Sequence, residues 1–335
     1  MKSSAPPHKP RLLLIATGGT ISMVRDPVTG ASVPTLTAAD LLARTSLTTQ
    51  FAIRPLDLAT QPGVGLRSAD LLTLAHTIAQ EAQSGVDGVV VTHGTDTLEE
   101  VAFFIDEVAP VALPLVFTGA MRPSWATGYD GTKNLENALR VAAAVPAEYG
   151  TLVTMNDEIF AAWSVYKADT GALDAFAARR GAPYGRIFAN HIELAWHPVV
   201  RQRLGKIPPL LPTAIPILMM GIDDEAVLLE QLPARSVQGL VIAGLAAGSV
   251  PPVARQHLLR LAASGLIVVL CSGAVSGRTG EDYYYPGAYA DLTAAGVVIE
   301  DHLTPRKARI RLMLSLSLQV PYVPFGREFV IPASL

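Results

Sequence analysis

Residues 11 to 21 read Arg-Leu-Leu-Leu-Ile-Ala-Thr-Gly-Gly-Thr-Ile: five apolar residues in a row, then a threonine, two glycines and a second threonine. So short and uniform an apolar run has neither a helical period nor alternation with polar residues. It reads as a strand buried on both faces, as in a parallel sheet. Gly18-Gly19 after it marks a tight turn, which places Thr20 just past the strand's carboxyl end. The same grammar returns at Gly88 to Thr97, Gly-Val-Val-Val-Thr-His-Gly-Thr-Asp-Thr, and puts Thr95 just past a second buried strand. In an open α/β sheet the ligand crevice lies outside the carboxyl ends of the strands. Two glycine-flanked hydroxyls there point to an enzyme with a hydroxyl nucleophile.

Further short apolar runs follow at Leu115 to Thr118 and Thr151 to Thr154, and helical periodicity fills Ala69 to Gln83, Leu98 to Val108 and Asn134 to Ala144. This alternation predicts βαβ units and a mainly parallel, doubly wound sheet with helices on both faces. The proline-rich stretch 197–216 reads as a linker. Beyond it, apolar runs at Ile215 to Met220, Leu240 to Ala243, Leu266 to Leu270 and Val297 to Glu300 alternate with helical segments Glu225 to Gln231, Pro251 to Ala263 and Arg306 to Leu318. The expected organisation is an N-terminal catalytic α/β domain over residues 1–196, the linker, and a smaller parallel α/β domain over 217–335.

Composition narrows the function. The chain has 335 residues, half of them hydrophobic, with 16% charged and a formal charge of −3. Without a basic run, nucleic acid is not an expected partner. The single cysteine, Cys271, can make no intrachain disulfide, which fits a reducing compartment. The segment Met1 to Pro10 is polar, and Leu12 to Ala16 is too short for a signal core or a membrane span. A cytoplasmic protein with no membrane partner is expected. The seven histidines show no metal-ligand spacing, and His93 is expected to be structural; neither metal nor cofactor is predicted.

A threonine hydroxyl is a poor nucleophile at neutral pH and needs a base and donors for the developing oxyanion. Asp96 adjoins Thr95, and Lys167 stands alone in a segment with few charges; a desolvated lysine in a cleft can serve as a base. Glycines 18, 19 and 94 let backbone N–H groups approach a substrate closely. Gly18-Gly19 lacks the spacing of either phosphate-binding glycine motif, which disfavours a nucleotide site. Asp96 and Thr97 also suit the N-cap of a helix beginning near Leu98, with Glu99 and Glu100 favourable in its first turn.

Taken together, Ala16 to Ile21 resembles the first signature of the bacterial-type L-asparaginases and glutaminases, and Val91 to Glu100 resembles the second. The resemblance runs on through Thr118 to Pro123, Asp130 to Asn134, Met155 to Asp157 and the Lys167 segment, covering most of the chain. It implies a two-domain α/β amidohydrolase, acting on asparagine or a related carboxamide without a cofactor. The implied assembly is a homodimer or homotetramer whose active sites are completed by a neighbouring subunit. By position Thr20 matches the nucleophile, and Thr95, Asp96 and Lys167 match the set that activates a hydroxyl or the hydrolytic water. The backbone of Gly19, Gly94, Thr95 and Ala120 would line the amide end.

The chain departs from that pattern around the substrate's far end. Such enzymes hold the α-carboxylate and α-ammonium with a serine and a polar residue after the second strand, with an asparagine from the C-terminal domain of the neighbouring subunit, and often with a glutamate from that same subunit. Here Gly63 and Val64 align with the first pair, Ala247 or Ser249 with the asparagine, and a residue between Glu281 and Tyr285, with Tyr284 as candidate, with the glutamate. The loop between Ser22 and Leu36 lacks the usual tyrosine; Tyr129, Tyr166 and Tyr283 to Tyr285 are the available substitutes. A less polar amide substrate is therefore the first alternative, and a non-catalytic binding module of the same fold the second.

Overall fold

The computed structural model describes residues 9–326 apart from 190, 196, 200, 202, 233–236 and 281–282. In chain order the elements are β1 (Arg11–Gly18), β2 (Met23–Arg25), β3 (Ser32–Pro34), α1 (Ala38–Leu42), β4 (Ala52–Gln61), α2 (Ser68–Ala82), β5 (Gly88–Thr92), α3 (Leu98–Val108), β6 (Leu115–Thr118), α4 (Gly131–Ala144), β7 (Thr151–Met155), β8 (Glu158–Ala161), β9 (Val165–Lys167), β10 (Phe176–Ala178), β11 (Gly185–Phe188) and β12 (His191–Leu194). There follow β13 (Ile217–Met219), α5 (Val227–Gln231), β14 (Leu240–Gly244), α6 (Pro252–Ala263), β15 (Val268–Ser272), α7 (Tyr289–Ala294), β16 (Val298–Glu300) and α8 (Pro305–Leu318). Two compact units result. One is formed by the chain up to Ala178 with Ala182–Val199, the other mainly by the chain from Pro208 onward with Arg179–Gly181.

The first unit is built on an eight-stranded sheet in the order β12-β11-β8-β7-β6-β5-β1-β4. From β4 to β7 the pairings are parallel. Numbered among themselves, these five strands run 2-1-3-4-5, so the winding reverses between β1 and β5, and an open parallel sheet leaves its crevice at such a switch point. Strands β1, β5, β6 and β7 are buried nearly throughout, as uniformly apolar runs require when helices cover both faces. On one face Leu12, Leu14, Val90 and Val116 pack with Ala38 and Leu41 of α1 and with Leu135, Ala138 and Leu139 of α4. On the other, α3 is buried along almost its whole length, Phe103 and Phe104 included.

Beyond β7 the sheet becomes antiparallel through β8, β11 and β12. Together with β4 and the hairpins β2/β3 and β9/β10, this flank is absent from the sequence expectation. These strands are short, and β11 alternates buried with exposed residues in the manner of a flank. Strand β4 carries Pro55, which an edge position tolerates because its neighbour β1 is its only partner in the sheet.

The second unit is a parallel sheet in the order β13-β14-β15-β16. Leu240, Ile242, Val268 and Leu270 pack on Leu229 of α5 and on Ala254, Leu258 and Leu261 of α6, while α8 lies against β13, β14 and β15. Cys271 is fully buried in β15, as its apolar run anticipates, and burial holds its thiol well above its ordinary pKa. Between β12 and β13 the described residues form no helix or strand. No helix among the described residues is long and apolar enough to cross a membrane.

Candidate active site

The two threonine motifs meet through backbone. Gly18 and Gly19 follow β1 with φ of 89° and 83°, a region that L side chains avoid. A methyl group on Gly19 would lie 2.3 Å from Gly94 Cα and 2.4 Å from its nitrogen. One placed on Gly94 would lie 3.0 Å from Gly63 N, and one on Gly63 2.7 Å from Thr97 Oγ1. Three glycines from three loops are therefore in direct backbone contact. Thr20, partly exposed, opens a 3₁₀ turn, Thr20–Ser22, immediately beyond this contact. Its hydroxyl has no hydrogen-bond partner among the described residues.

Thr95 follows β5, and its side chain is buried. Lys167 Nζ, carried by β9, lies within hydrogen-bond distance of Thr95 Oγ1 at 2.9 Å and of Asp96 Oδ1 at 2.7 Å. Lys167 is mostly buried and Asp96 mostly exposed, so one end of the pair is dry and the other wet. The Lys167 backbone N–H donates to Glu99 Oε2 at 3.3 Å, which ties β9 to the first turn of α3. Hydroxyl, amine and carboxylate thus form a chain that can move a proton from Thr95 while keeping the amine's charge balanced.

His93 is fully buried behind these loops. Thr17 Oγ1 donates to Thr92 O at 2.9 Å and lies 2.6 Å from His93 Nδ1. A hydroxyl has one hydrogen, so Nδ1 must donate to Thr17, and Nε2 then accepts from Thr97 Oγ1 at 3.0 Å. Burial pushes the imidazole down from 6.5 to about 4, which keeps it neutral. The histidine is structural, as expected. The capping expectation is corrected: Thr97 occupies the N-cap of α3, but its side chain makes no cap hydrogen bond because the hydroxyl is committed to His93.

Gly119 and Ala120 form a third wall after β6. Ala120 is buried, and a methyl on Gly119 would lie 2.6 Å from His93 O and 3.3 Å from Thr95 Cγ2. Asp130 accepts from the N–H groups of Met121 and Arg122, and Asn134 donates to Gly119 O. Gly63 is buried against Gly94, and its neighbour Val64 is 70% exposed. Sequence reading missed β4, the strand that leads into Gly63 and whose end pairs in register with Gly18. The signal was present in the alternation Ile53-Arg54 and Leu56-Asp57-Leu58, which marks a strand.

Other predicted residues have different surroundings. Tyr284 belongs to the second unit and is 81% exposed. Ser249 there shares a 2.7 Å hydrogen bond with Tyr285, and Ala247 O accepts from Gly280 N. Glu281 lies outside the described residues. Among the tyrosines considered for the loop position, Tyr129 touches the Thr20 turn, donating to Ile21 O at 3.0 Å.

The first unit is thus a doubly wound α/β domain of flavodoxin-like strand order that carries a hydroxyl–amine–carboxylate chain at its switch point. Residues 11–200 match the family profile for the asparaginase N-terminal domain, and residues 214–321 that for the glutaminase/asparaginase C-terminal domain. The chain is 37% identical to a probable L-asparaginase of Deinococcus radiodurans over 97% of its own length and 98% of that protein's. It is 31% identical to L-asparaginase 2 of Escherichia coli, covering 92% and 89% of the two chains. Among solved structures, a probable cytoplasmic L-asparaginase from Campylobacter jejuni superposes with a TM-score of 0.80 at 29% identity, covering 94% and 97%. The chain belongs to the asparaginase family and is an amidohydrolase.

Two outcomes are expected from this geometry. Gly19→Ala forces a methyl into Gly94 at a strained φ and should cost roughly 2–4 kcal/mol of stability together with most activity; denaturant unfolding and ammonia release measure the two. For His93, the unfolded chain takes up a proton near 6.5 and the folded chain only near 4. Its contribution is full above pH 6.5, declines as pH falls toward 4 by roughly 3 kcal/mol, and is flat below. Unfolding free energies measured across that window should show the slope, and His93→Asn should lose it.

Proposed function

We propose that the protein hydrolyses L-asparagine to L-aspartate and ammonia through an acyl-enzyme on Thr20. Thr20 Oγ attacks the side-chain amide carbon, the C–N bond breaks, and ammonia leaves with the proton the hydroxyl gave up. Water then attacks the ester carbon as Thr95 Oγ relays its proton to Lys167, acting as a free amine beside Asp96. The C–O bond to Thr20 breaks, and the same proton returns to restore the Thr20 hydroxyl as L-aspartate leaves. Backbone N–H groups at Gly19, Gly94, Thr95 and Ala120 surround the amide end and meet the oxyanion. The observation that carries this reading is the 2.9 Å contact of Lys167 Nζ with Thr95 Oγ1, backed by Asp96 at 2.7 Å.

Asparagine itself is supported by the relatives named L-asparaginase, which the chain matches over nearly its whole length. A second reading, an amide with a less polar tail, draws on Val64, which is exposed beside a glycine whose side-chain space Thr97 already fills. Gly63 and Val64 are then apolar contacts for that tail. We place the protein in the cytoplasm, in keeping with its single, buried cysteine. We assign it a homodimer or homotetramer whose neighbouring subunits complete each site; the exposed Met219, Ile222 and Leu228 of the second unit support burial in an assembly.

Thr20→Ala is expected to lower ammonia release from L-asparagine by at least a thousandfold while leaving the fold intact by circular dichroism. Undiminished release would overturn the nucleophile. A panel of L-asparagine, L-glutamine, N-acyl asparagines and simple apolar amides separates the two substrate readings, with free L-asparagine the fastest if the first is right. Size-exclusion chromatography with activity measured across the peak should place all activity in the oligomer, and an active monomer would refute the shared site.

A further inference from the structure

The segment 121–130 makes contacts that the proposed chemistry does not use. Asp130 at its end ties back to Met121 N and Arg122 N at 3.0 Å each, and through Asn134 to the Gly119 carbonyl, so the loop is a closed, rigid unit. From it, side chains reach the Thr20 loop at three levels. Ser124 Oγ donates to Met23 O at 2.7 Å, and Trp125 Nε1 donates to Ser32 Oγ at 3.2 Å while its ring lies under the Arg25 guanidinium at 5.3 Å. Tyr129 Oη donates to Ile21 O at 3.0 Å, inside the 3₁₀ turn that presents Thr20.

That last bond is placed with care by the sequence. The Tyr129 phenol lies over the first residue of α4, where a methyl on Gly131 would come within 2.3 Å of Oη, so the ring fits only because position 131 is glycine. Burial and the neighbouring Asp130 charge raise the phenol from 10.0 to about 12, so the hydroxyl keeps its proton at any working pH and remains a donor. With its one hydrogen committed to Ile21 O, it is no base toward Thr20. Backbone bonds hold the rest of the turn, Met23 N to Thr20 O, Ser22 N to Gly19 O, and Thr35 N and Leu36 N to Ser22 O, while Ile21 O takes the phenol.

We infer that Tyr129 is a positioning residue, its hydroxyl fixing the Ile21 carbonyl so that Thr20 Oγ is held at attack distance from the substrate amide carbon. This rests on Thr20 as nucleophile. Small misplacements of a reacting group cost rate steeply, so the effect belongs in the acylation step rather than in binding.

The test uses the full-length oligomer with L-asparagine, or with whichever carboxamide of the panel is turned over fastest. Tyr129→Phe removes one oxygen and should lower kcat about ten- to a hundredfold with KM within about twofold. Rapid-mixing measurement of ammonia release should show acylation slowed and deacylation unchanged. Gly131→Ala, acceptable to a helix N-terminus, displaces the phenol without deleting it and should give the same split, so a poorly folded Tyr129→Phe would not end the test. The inference is overturned if either folded variant keeps its acylation rate, or if kcat falls only in proportion to loss of folded protein by thermal unfolding. If Thr20→Ala remains active, the nucleophile assignment fails first; if it is dead and both variants are normal, only the role of Tyr129 fails.

Discussion

The site depends on backbone-to-backbone contact among Gly19, Gly94 and Gly63. A Cβ at position 19 would overlap the Gly94 backbone at 2.3 Å, a distance no repacking of flexible side chains relieves. Because nothing separates the two loops, the hydroxyl residues that follow Gly19 and Gly94 by one position are fixed relative to each other by main chain alone. Main-chain contact is a stiff arrangement for the two hydroxyls proposed to act on one small substrate. Thr20 and Thr95 therefore need no direct bond between them to be held together.

Around this contact the polar groups divide into those that react and those that hold. Thr17, His93 and Thr97 form a buried chain whose single tautomer follows from counting hydrogens, and it fastens the end of β1 to the start of α3. Its neutrality matters, since a charged imidazole there would have no anion to meet. Lys167 and Asp96, by contrast, pair at 2.7 Å with Asp96 as the wet end. The second motif thus contributes His93 and Thr97 to a neutral scaffold and Asp96 to the proposed proton path. The second unit carries a comparable buried device in Glu300, which accepts from Tyr322 Oη, Phe325 N, His302 N and Leu303 N and so pins the chain's last described turn to β16.

Much of the fold was legible because the central strands are uniformly apolar. Gly88–Thr92, Leu115–Thr118 and Leu98–Val108 were read to the residue, since burial on all sides leaves only one kind of residue acceptable. Strand β4 was missed: it alternates and contains Pro55, both natural at an edge. The antiparallel strands β8, β11 and β12 were missed because none is an apolar run: Glu158, Arg186, His191 and Glu193 interrupt them. The capping role of Thr97 was misjudged because a hydroxyl's partner is set by what folds against it, here His93.

What the sequence alone determined was local: which residues are strands, which glycines end them, and which hydroxyl, amine and carboxylate stand just beyond. Covalent order and a two-residue or 3.6-residue period suffice for that. The order 4-1-5-6-7 of the parallel strands, which sets the switch point between β1 and β5, was decided only by the tertiary structure. Neither motif contains that information, because adjacency in a sheet comes from how the crossovers wind. For the same reason the contact of Lys167 with Thr95, 72 residues apart in the chain, and the grip of Tyr129 on Ile21 became visible only once the strands had taken their places.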